Sequence, residues 1–162
     1  MPREIDRVRV QDMFCHAVYS ATHVINQTYA PLLKPLGLTY PQYITLLILE
    51  EEDGLTVGQV SDRLKMATST VTPLLKRLEG LGHLERRRQK DDERKVLVFL
   101  TASGRTLLRK APALTECMIG NTMLPEDDLG HLVSLLRRLS QNLEAGAPHG
   151  KPTPAVPGRR TR

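Results

Sequence analysis

The chain has 162 residues, of which 40% are hydrophobic and 25% charged, proportions that are typical of a soluble globular protein. No apolar run approaches the ~20 residues that a membrane span requires, and the N-terminus has no signal-like apolar segment. Two cysteines are too few for a disulfide scaffold or a four-thiolate zinc site. We therefore expect a cytoplasmic protein of one domain, with or without an appended helix and tail, that needs neither a metal nor another cofactor.

Charge is distributed unevenly along the chain. Residues 58–110 hold thirteen Lys and Arg against six Asp and Glu, whereas residues 1–57 and 111–145 each carry a net charge of −3. Residues 146–162 combine four basic residues with Pro and Gly, which predicts a disordered basic tail. A basic middle between acidic flanks is typical of a nucleic-acid-binding module on a scaffold, although a solvated charged surface is the simpler alternative.

Apolar spacing and capping signals predict three helices in the first part of the chain. Residues 8–29 carry apolar side chains three and four positions apart, and Pro31 is expected to end or bend this first helix. Two capping-box pairs predict the starts of the second and third helices: Thr39 with Gln42, and Thr56 with Gln59.

A fourth helix and a hairpin follow. The fourth helix is predicted from about Ser69 to Leu81, with an apolar stripe on one side and polar residues mainly outside it. The spacing of the apolar residues then changes from a helical to a strand-like period. Residues 84–88 and 96–100 are therefore predicted as two strands joined by the wholly polar loop 89–95.

The last third of the chain is predicted to be helical. Thr101 caps a fifth helix that extends past Leu114, with a bend at Pro112. Pro125 and the three acids after it predict the start of a sixth helix. The predicted fold is mainly α, with a small β-wing.

Two short helices followed by a basic hairpin form the winged helix-turn-helix arrangement, so residues 38–100 are predicted to bind DNA. The helix near Ser69 is expected to enter the major groove, and Arg94 in the wing to reach the minor groove with Asp92 holding it in place. A solvated helix face is the alternative for the basic residues of this helix. The candidate DNA contacts are Ser69, Thr70, Thr72, Lys76, Arg77, Arg88, Lys90 and Arg94.

The wing sequence resembles a known family. Asp92–Glu93–Arg94 followed by Leu100–Thr101 is similar to the Asp-x-Arg and Leu-Thr wing signature of the MarR family of bacterial transcription regulators. Three further segments resemble a narrower group, the OhrR type, which senses organic hydroperoxides: Leu38–Tyr43, Glu51–Val57 and Leu74–Glu79.

The resemblance extends over roughly residues 12–144 and implies a quaternary structure. It implies a six-helix homodimer in which residues 1–37 and 101–145 form the helical dimerisation region. Two reading helices related by symmetry predict a palindromic operator with half-sites about 34 Å apart.

The tyrosines are concentrated near one cysteine. All four lie within 28 residues of Cys15, and Tyr19 shares its helix face. A thiolate attacks peroxides, and phenol O–H groups can stabilise it by hydrogen bonding without adding charge. In the OhrR group the reactive cysteine matches Cys15 and the sulfur-bonding tyrosines of the partner chain match Tyr29 and Tyr40, with Tyr19 as an accessory. The simpler alternative is a buried apolar Cys15 with tyrosines that only pack at an interface.

Cys117 is the candidate for a second, resolving cysteine, which some members of the group carry in their later helices. A core cysteine is the alternative for Cys117, and a small thiol such as glutathione is the alternative resolver. The resemblance implies that the partner subunit's Cys117 forms a disulfide with oxidised Cys15. The two helices must shift to form that bond.

The resulting hypothesis is a cytoplasmic, nucleoid-associated repressor that is not an enzyme. It binds palindromic operator DNA when reduced, releases it when an organic hydroperoxide oxidises Cys15, and is reset by small thiols. The main alternative is a MarR-type repressor released by a small aromatic ligand bound at the dimer interface. A thiol peroxidase and a non-specific architectural DNA binder are further alternatives, and the winged helix argues against the peroxidase.

Overall fold

The computed structural model describes residues 9–89 and 95–146, which form two compact units that divide after Asn121. The second unit contains helix α7 (Glu126–Gly146). None of the helices in these residues is long and apolar enough to cross a membrane. The other helices are α1 (Phe14–Leu33), α2 (Tyr40–Glu51), α3 (Val57–Leu64), α4 (Thr68–Gly80), α5 (Ala102–Leu108) and α6 (Ala111–Thr122), and the strands are β1 (Leu55–Thr56), β2 (Leu84–Arg88) and β3 (Val96–Leu100).

The capping residues predicted from the sequence begin their helices as expected. The side chain of Gln42 accepts the Thr39 backbone N–H at 2.9 Å, which closes the first turn of α2. Thr56 and Gln59 form the reciprocal pair at the start of α3, with N···O distances of 2.8 and 3.2 Å. Thr101 caps α5 through one bond only, since its hydroxyl oxygen accepts the Gly104 backbone N–H at 3.1 Å. These bonds satisfy backbone donors that a helix start leaves without partners, so the local signals determine where these helices begin.

The predicted hairpin is confirmed, and a third strand joins it. β2 and β3 pair antiparallel, with Leu84 opposite Leu100. β1, which the sequence analysis did not predict as a strand, pairs with the other side of β3, so the sheet order is β1-β3-β2. Val98 and Leu100 are buried on one face of β3.

The hydrophobic core lies almost wholly between residues 33 and 108. It is built mainly from α2, α3, α4 and the sheet, while α1 contributes only Leu33, and α6 and α7 contribute no buried residue. The terminal helices therefore expose most of their apolar side chains in a single protomer. The buried apolar residues are Leu33, Leu38, Tyr43, Leu46, Leu49, Leu55, Val60, Val71, Leu75, Leu78, Leu84, Val98, Leu100 and Leu108.

The first helix differs from its predicted bounds. It begins at Phe14 rather than near residue 8, because Val10–Asp12 form a 3-10 turn and the backbone of Met13 is extended. It also continues through Pro31 to Leu33. Pro31 lies in the last turn, where its missing N–H removes one hydrogen bond. The full burial of Leu33 compensates by holding that turn against the core.

The predicted fifth helix is divided into α5 and α6. α5 ends at Leu108 and α6 begins at Ala111, so the helix is interrupted just before the predicted bend at Pro112. Pro112 is the second residue of α6, a position where a missing N–H costs little. The prediction of a mainly α fold with a small β-wing is confirmed.

The beginning of α5 packs closely against the turn between α4 and β2. The Thr101 backbone N–H donates to the His83 carbonyl oxygen at 3.1 Å, and the Thr101 hydroxyl donates to the Gly82 carbonyl at 2.7 Å. Gly104 is buried there, and a Cβ atom on it would lie 2.2 Å from the His83 carbonyl oxygen. Only glycine permits this approach.

A charged cluster connects α5 to the end of α2. The Asp53 carboxylate accepts the Leu100 backbone N–H at 2.8 Å. The Arg105 guanidinium donates to Asp53 at 2.5 Å and to Glu50 at 3.0 Å. These ion pairs are partly exposed and contribute little stability individually, but they constrain α5 relative to the sheet.

Replacing Gly104 with alanine should lower the free energy of unfolding by about 2 kcal/mol, because the new Cβ forces the His83 backbone away. The matched control is Gly80→Ala at the end of α4, where a Cβ would meet nothing within 4 Å. That control should be neutral or stabilise by up to ~1 kcal/mol. Urea unfolding at one protein concentration measures both variants, and a Gly104→Ala protein as stable as the wild type would contradict the close contact.

Candidate functional site

Helix α4 presents a polar side to solvent. Its apolar residues Val71, Leu75 and Leu78 are fully buried in the core, which turns the opposite side outward. Thr72 is half-buried, and its hydroxyl donates to the Thr68 carbonyl at 2.8 Å. The remaining candidate DNA contacts on this helix are exposed: Ser69, Thr70, Lys76 and Arg77.

The wing is described only at its base. Arg88 is exposed at the end of β2, and the Gln89 N–H donates to the Lys95 carbonyl at 2.9 Å. The other predicted wing residues, Lys90, Asp92 and Arg94, lie outside the described residues. The proposed support of Arg94 by Asp92 therefore stays a prediction.

An ion pair that the sequence analysis did not identify joins α4 to β2. The Arg86 guanidinium donates to one Glu79 carboxylate oxygen through Nε at 2.9 Å and Nη2 at 2.6 Å, and the Arg86 backbone N–H lies 3.2 Å from the other oxygen. These hydrogen bonds lower the pKa of the Glu79 carboxyl below its usual value. Glu79 and Arg86 are seven positions apart with a turn between them, and no sequence signal relates residues at that spacing. Only the packing of the hairpin against α4 therefore identifies this ion pair.

Cys15 is the second residue of α1 and carries an exposed free thiol. Its neighbours Phe14 and Tyr19 are also exposed, with 72% of Tyr19 accessible. Cys15 is therefore not buried by its own chain, and burial of Cys15 at an interface stays an alternative.

Three tyrosines form a cluster between α1 and α2, hereafter the tyrosine cluster (Tyr29, Tyr40 and Tyr43). The Tyr29 ring centroid lies 4.7 Å from that of Tyr40 and 6.1 Å from that of Tyr43. Tyr43 is buried, and its hydroxyl donates to the Ala111 carbonyl at 3.5 Å. The sequence analysis gave Tyr43 no role, although its position one turn after Tyr40 on α2 was a signal for it.

Partial burial controls the protonation of two of these phenols. Desolvation raises the pKa of Tyr29 and of Tyr40 above the usual value, and the neighbouring phenols raise it further. Partial burial thus favours the neutral form of both phenols, in which the O–H group can donate a hydrogen bond.

Cys117 lies on α6 with an exposed free thiol. The Asn121 side-chain amide lies 4.0 Å from its sulfur, one turn further along the helix. Exposure excludes the alternative that Cys117 is a core residue of its protomer. Within residues 9–89 and 95–146, no group of three or more His, Cys, Asp or Glu side chains is placed to hold a metal ion.

A cavity of about 770 Å³ opens between the end of α1 and the start of α2. Its walls include Ala30, Pro31 and Leu38, with Lys34 and Tyr40 as polar groups. It could admit an apolar molecule that carries one acceptor or acid group.

The family model and the relatives found by comparison with known proteins are transcriptional regulators. The family described as transcriptional regulator SarA/Rot matches residues 27–111. The HTH-type transcriptional regulator TtmR of Methylorubrum extorquens (strain PA1) is 42% identical over 142 residues, which cover 88% of this chain and 73% of that protein. The organic hydroperoxide resistance transcriptional regulator of Bacillus subtilis (strain 168) is 36% identical over 143 residues, which cover 88% of this chain and 97% of that protein. The solved structure of reduced AbfR bound to DNA is similar with a TM-score of 0.67 and 32% identity, covering 83% of this chain and 94% of that chain.

The raised pKa values of the tyrosine cluster predict a pH dependence. A phenol whose pKa is higher in the folded chain contributes stability that is complete below its usual pKa of 10.0 and is lost as the pH rises through the folded value. The free energy of unfolding should therefore fall in alkaline solution, and Tyr29→Phe should reduce that fall. Tyr19→Phe, which removes an exposed phenol outside the cluster, is the control. Tyrosinate absorbance and urea unfolding across the alkaline range measure the effect. If the free energy of unfolding of Tyr29→Phe fell with pH as steeply as that of the wild type, the prediction would be contradicted.

Proposed function

Since this chain belongs to the MarR-type family of transcriptional regulators, we propose that it is a repressor that binds palindromic operator DNA while Cys15 is reduced. An organic hydroperoxide oxidises Cys15, and the protein then releases the DNA. The observation that supports this proposal most is the 36% identity to an organic hydroperoxide resistance regulator, of which the match covers 97%. The chain acts as a DNA-binding regulator, and not as a peroxidase.

The DNA contacts belong to α4 and the wing in this proposal. Thr and Ser hydroxyls at the start of α4 read base edges in the major groove, and Lys76, Arg77 and Arg88 contact bases or phosphates. The exposure of the polar side of α4 supports this assignment.

A homodimer positions two such helices on one face of the DNA. The exposed apolar side chains of the terminal helices support it, because a soluble protein rarely leaves contiguous apolar surface uncovered. A second copy of the chain would cover them through the proposed dimerisation region, residues 1–37 and 101–145. The apolar residues concerned include Phe14, Val18, Val24 and Ile25 on α1, Ile119 on α6, and Leu132, Val133, Leu135, Leu136 and Leu143 on α7.

The sensing step is a two-electron oxidation of sulfur. The Cys15 thiolate attacks one peroxide oxygen, the O–O bond breaks, and the products are a sulfenic acid on Cys15 and an alcohol. Tyr29 and Tyr40 of the partner subunit donate hydrogen bonds to the Cys15 sulfur, with Tyr19 as an accessory. The exposure of Cys15 and the packing of Tyr29 against Tyr40 in one cluster support that role.

The sulfenic acid is then resolved by a thiol. The partner subunit's Cys117 condenses with it to a disulfide and releases water, or a small thiol such as glutathione does so. The exposure of both thiols supports either route. Since a disulfide requires Cβ atoms within about 4.5 Å, its formation moves the helices and changes the distance between the two reading helices.

A second candidate mechanism is release by a small aromatic ligand, with Cys15 passive. The cavity beside Tyr40 and Lys34 favours it, because an aromatic acid would pack on the ring and pair its carboxylate with the ammonium group.

Cys15→Ser should separate the two mechanisms in a gel-shift assay on the promoter next to the protein's own gene. The affinity of the variant for this promoter DNA should be within about twofold of that of the reduced wild-type protein, since serine changes one atom. Hydroperoxide should no longer release the variant from the DNA. Loss of DNA by Cys15→Ser on hydroperoxide treatment would contradict the redox proposal. Release of both proteins by an aromatic acid would support the second mechanism.

Cys117→Ser tests the resolving step. Wild-type protein treated with hydroperoxide should run as a disulfide-linked dimer on a non-reducing gel, whereas Cys117→Ser should stay monomeric. A linked dimer in Cys117→Ser would show that Cys117 is not the resolving thiol.

A further inference from the structure

A short turn, residues 81–83, separates the reading helix α4 from strand β2. Its backbone closes the end of α4, since the Gly82 N–H donates to the Glu79 carbonyl at 2.9 Å and the His83 N–H donates to the Leu78 carbonyl at 3.0 Å. Gly82 has the left-handed backbone, with φ of 75°, that this type of helix ending requires. The turn therefore determines where the chain leaves α4, and contacts beyond the turn hold β2 at its angle to the helix.

The Glu79 side chain makes such a contact. It reaches from the last turn of α4 to Arg86, the third residue of β2. One carboxylate oxygen accepts the Arg86 Nε and Nη2 donors at 2.9 and 2.6 Å, and the other accepts the Arg86 backbone N–H at 3.2 Å. One helix side chain thus holds both the backbone and the side chain of a single strand residue. A carboxylate that binds at several points constrains orientation as well as distance.

The Arg86 N–H lies on the free edge of the sheet. β2 is an edge strand, because the sheet order is β1-β3-β2. Bonds across the hairpin are made at odd-numbered residues of this segment, as at His83 and Gln89. Since antiparallel strands bond at every second residue, the N–H of Arg86 points away from β3. Glu79 therefore gives an acceptor to an edge donor that the sheet itself does not pair.

Partial burial distinguishes this ion pair from the neighbouring pair on the same strand. The Arg86 and Glu79 side chains are 25% and 35% exposed, whereas those of Arg87 and Glu85, which also pair, are 62% and 44% exposed. Water and salt screen an exposed pair more strongly than a partly buried one. The Glu79–Arg86 pair is therefore the stronger constraint on β2.

We propose that Glu79 is a positioning residue for DNA recognition, which holds the hairpin at the angle to α4 that lets the helix and the wing contact DNA together. The inference rests on the DNA binding proposed above. It gives a role to Glu79 and Arg86, two residues outside the candidate DNA contacts. Glu79 acts through Arg86 and does not itself touch DNA, whose phosphates repel a carboxylate.

Apolar packing already attaches the hairpin to the core. Leu78 at the end of α4, Leu84 of β2 and Val98 of β3 are all buried. The free energy of burying these side chains holds the strands in place without the ion pair. Removal of the ion pair should therefore leave the fold intact and loosen only the angle between the hairpin and α4.

Glu79→Gln tests this role, with Glu85→Gln as the matched control in the exposed pair of the same strand. Glutamine keeps the size of the side chain but replaces one acceptor oxygen with donors, which oppose the guanidinium. Reduced Glu79→Gln should bind the promoter next to the protein's own gene about tenfold more weakly than wild type, because charge-assisted bonds are lost. Glu85→Gln should bind within about twofold of wild type. Both variants lose one negative charge, so their difference reports the contact.

Arg86→Lys provides a second variant that keeps the net charge of the protein. Lysine lacks the planar guanidinium that binds the carboxylate at two points, so Arg86→Lys should lose about as much affinity for the promoter as Glu79→Gln, about tenfold. Arg87→Lys is its matched control and should bind within about twofold of wild type.

Footprinting at saturating protein separates positioning from a general loss of folding. Dimethyl sulfate probes guanine N7 in the major groove, and hydroxyl radicals probe the adjacent minor groove. In Glu79→Gln and Arg86→Lys, minor-groove protection should weaken while major-groove protection is retained. Thermal unfolding should show that both variants are folded at the assay temperature.

The outcomes separate this inference from the proposed function. Wild-type affinity and footprint in both variants would overturn the positioning role while leaving DNA binding intact. The role is also rejected if protection of the two grooves weakens in parallel, if the control variants lose as much affinity, or if the wild type gives no minor-groove protection. Failure of the wild-type protein to bind the promoter at low salt would reject the proposed function, and the positioning role with it.

Discussion

The contact between the beginning of α5 and the His83 carbonyl is the constraint on which the arrangement of the first unit depends. Gly104 permits an approach that any Cβ would block. Thr101 bonds both to this turn and to the first turn of α5, and Arg105 connects the same helix to Asp53 and Glu50. The helix that leads towards Cys117 is therefore firmly joined to the sheet and to the turn that follows α4. A displacement of α5 would therefore act on the turn that follows α4.

Buried apolar surface is concentrated in residues 33–108 and is nearly absent from the terminal helices. Residues 33–108 contain the core and supply their own stability. α7 has 21 residues and no buried side chain. Because a helix gains most of its stability from packing its apolar face, the terminal helices need a partner surface. In the proposed homodimer, the stability of the chain would depend on protein concentration, since association would contribute to it.

The tyrosine cluster would meet two requirements of the thiol sensor proposed above. The rings of Tyr29 and Tyr40 pack against each other, and partial burial favours their neutral, hydrogen-bond-donating forms. Neutral phenols stabilise a thiolate without adding positive charge that would repel an apolar oxidant. The Tyr43 hydroxyl extends the cluster to Ala111, the first residue of the helix that carries Cys117. Structural changes at the tyrosines can thus reach the second thiol within one protomer.

The sequence by itself determined the features that depend on neighbours along the chain: the capped starts of α2, α3 and α5, the two hairpin strands, and the polar side of α4. Capping bonds span three residues and strand alternation spans two, so a short segment contains the whole signal. Only the tertiary structure decided the pairing of β1 with β3, the separation of α5 from α6, the bond between Arg86 and Glu79, and the exposure of Cys15. Each of these depends on which distant surfaces meet, and the free energy of burial that selects those surfaces has no signature within a short segment.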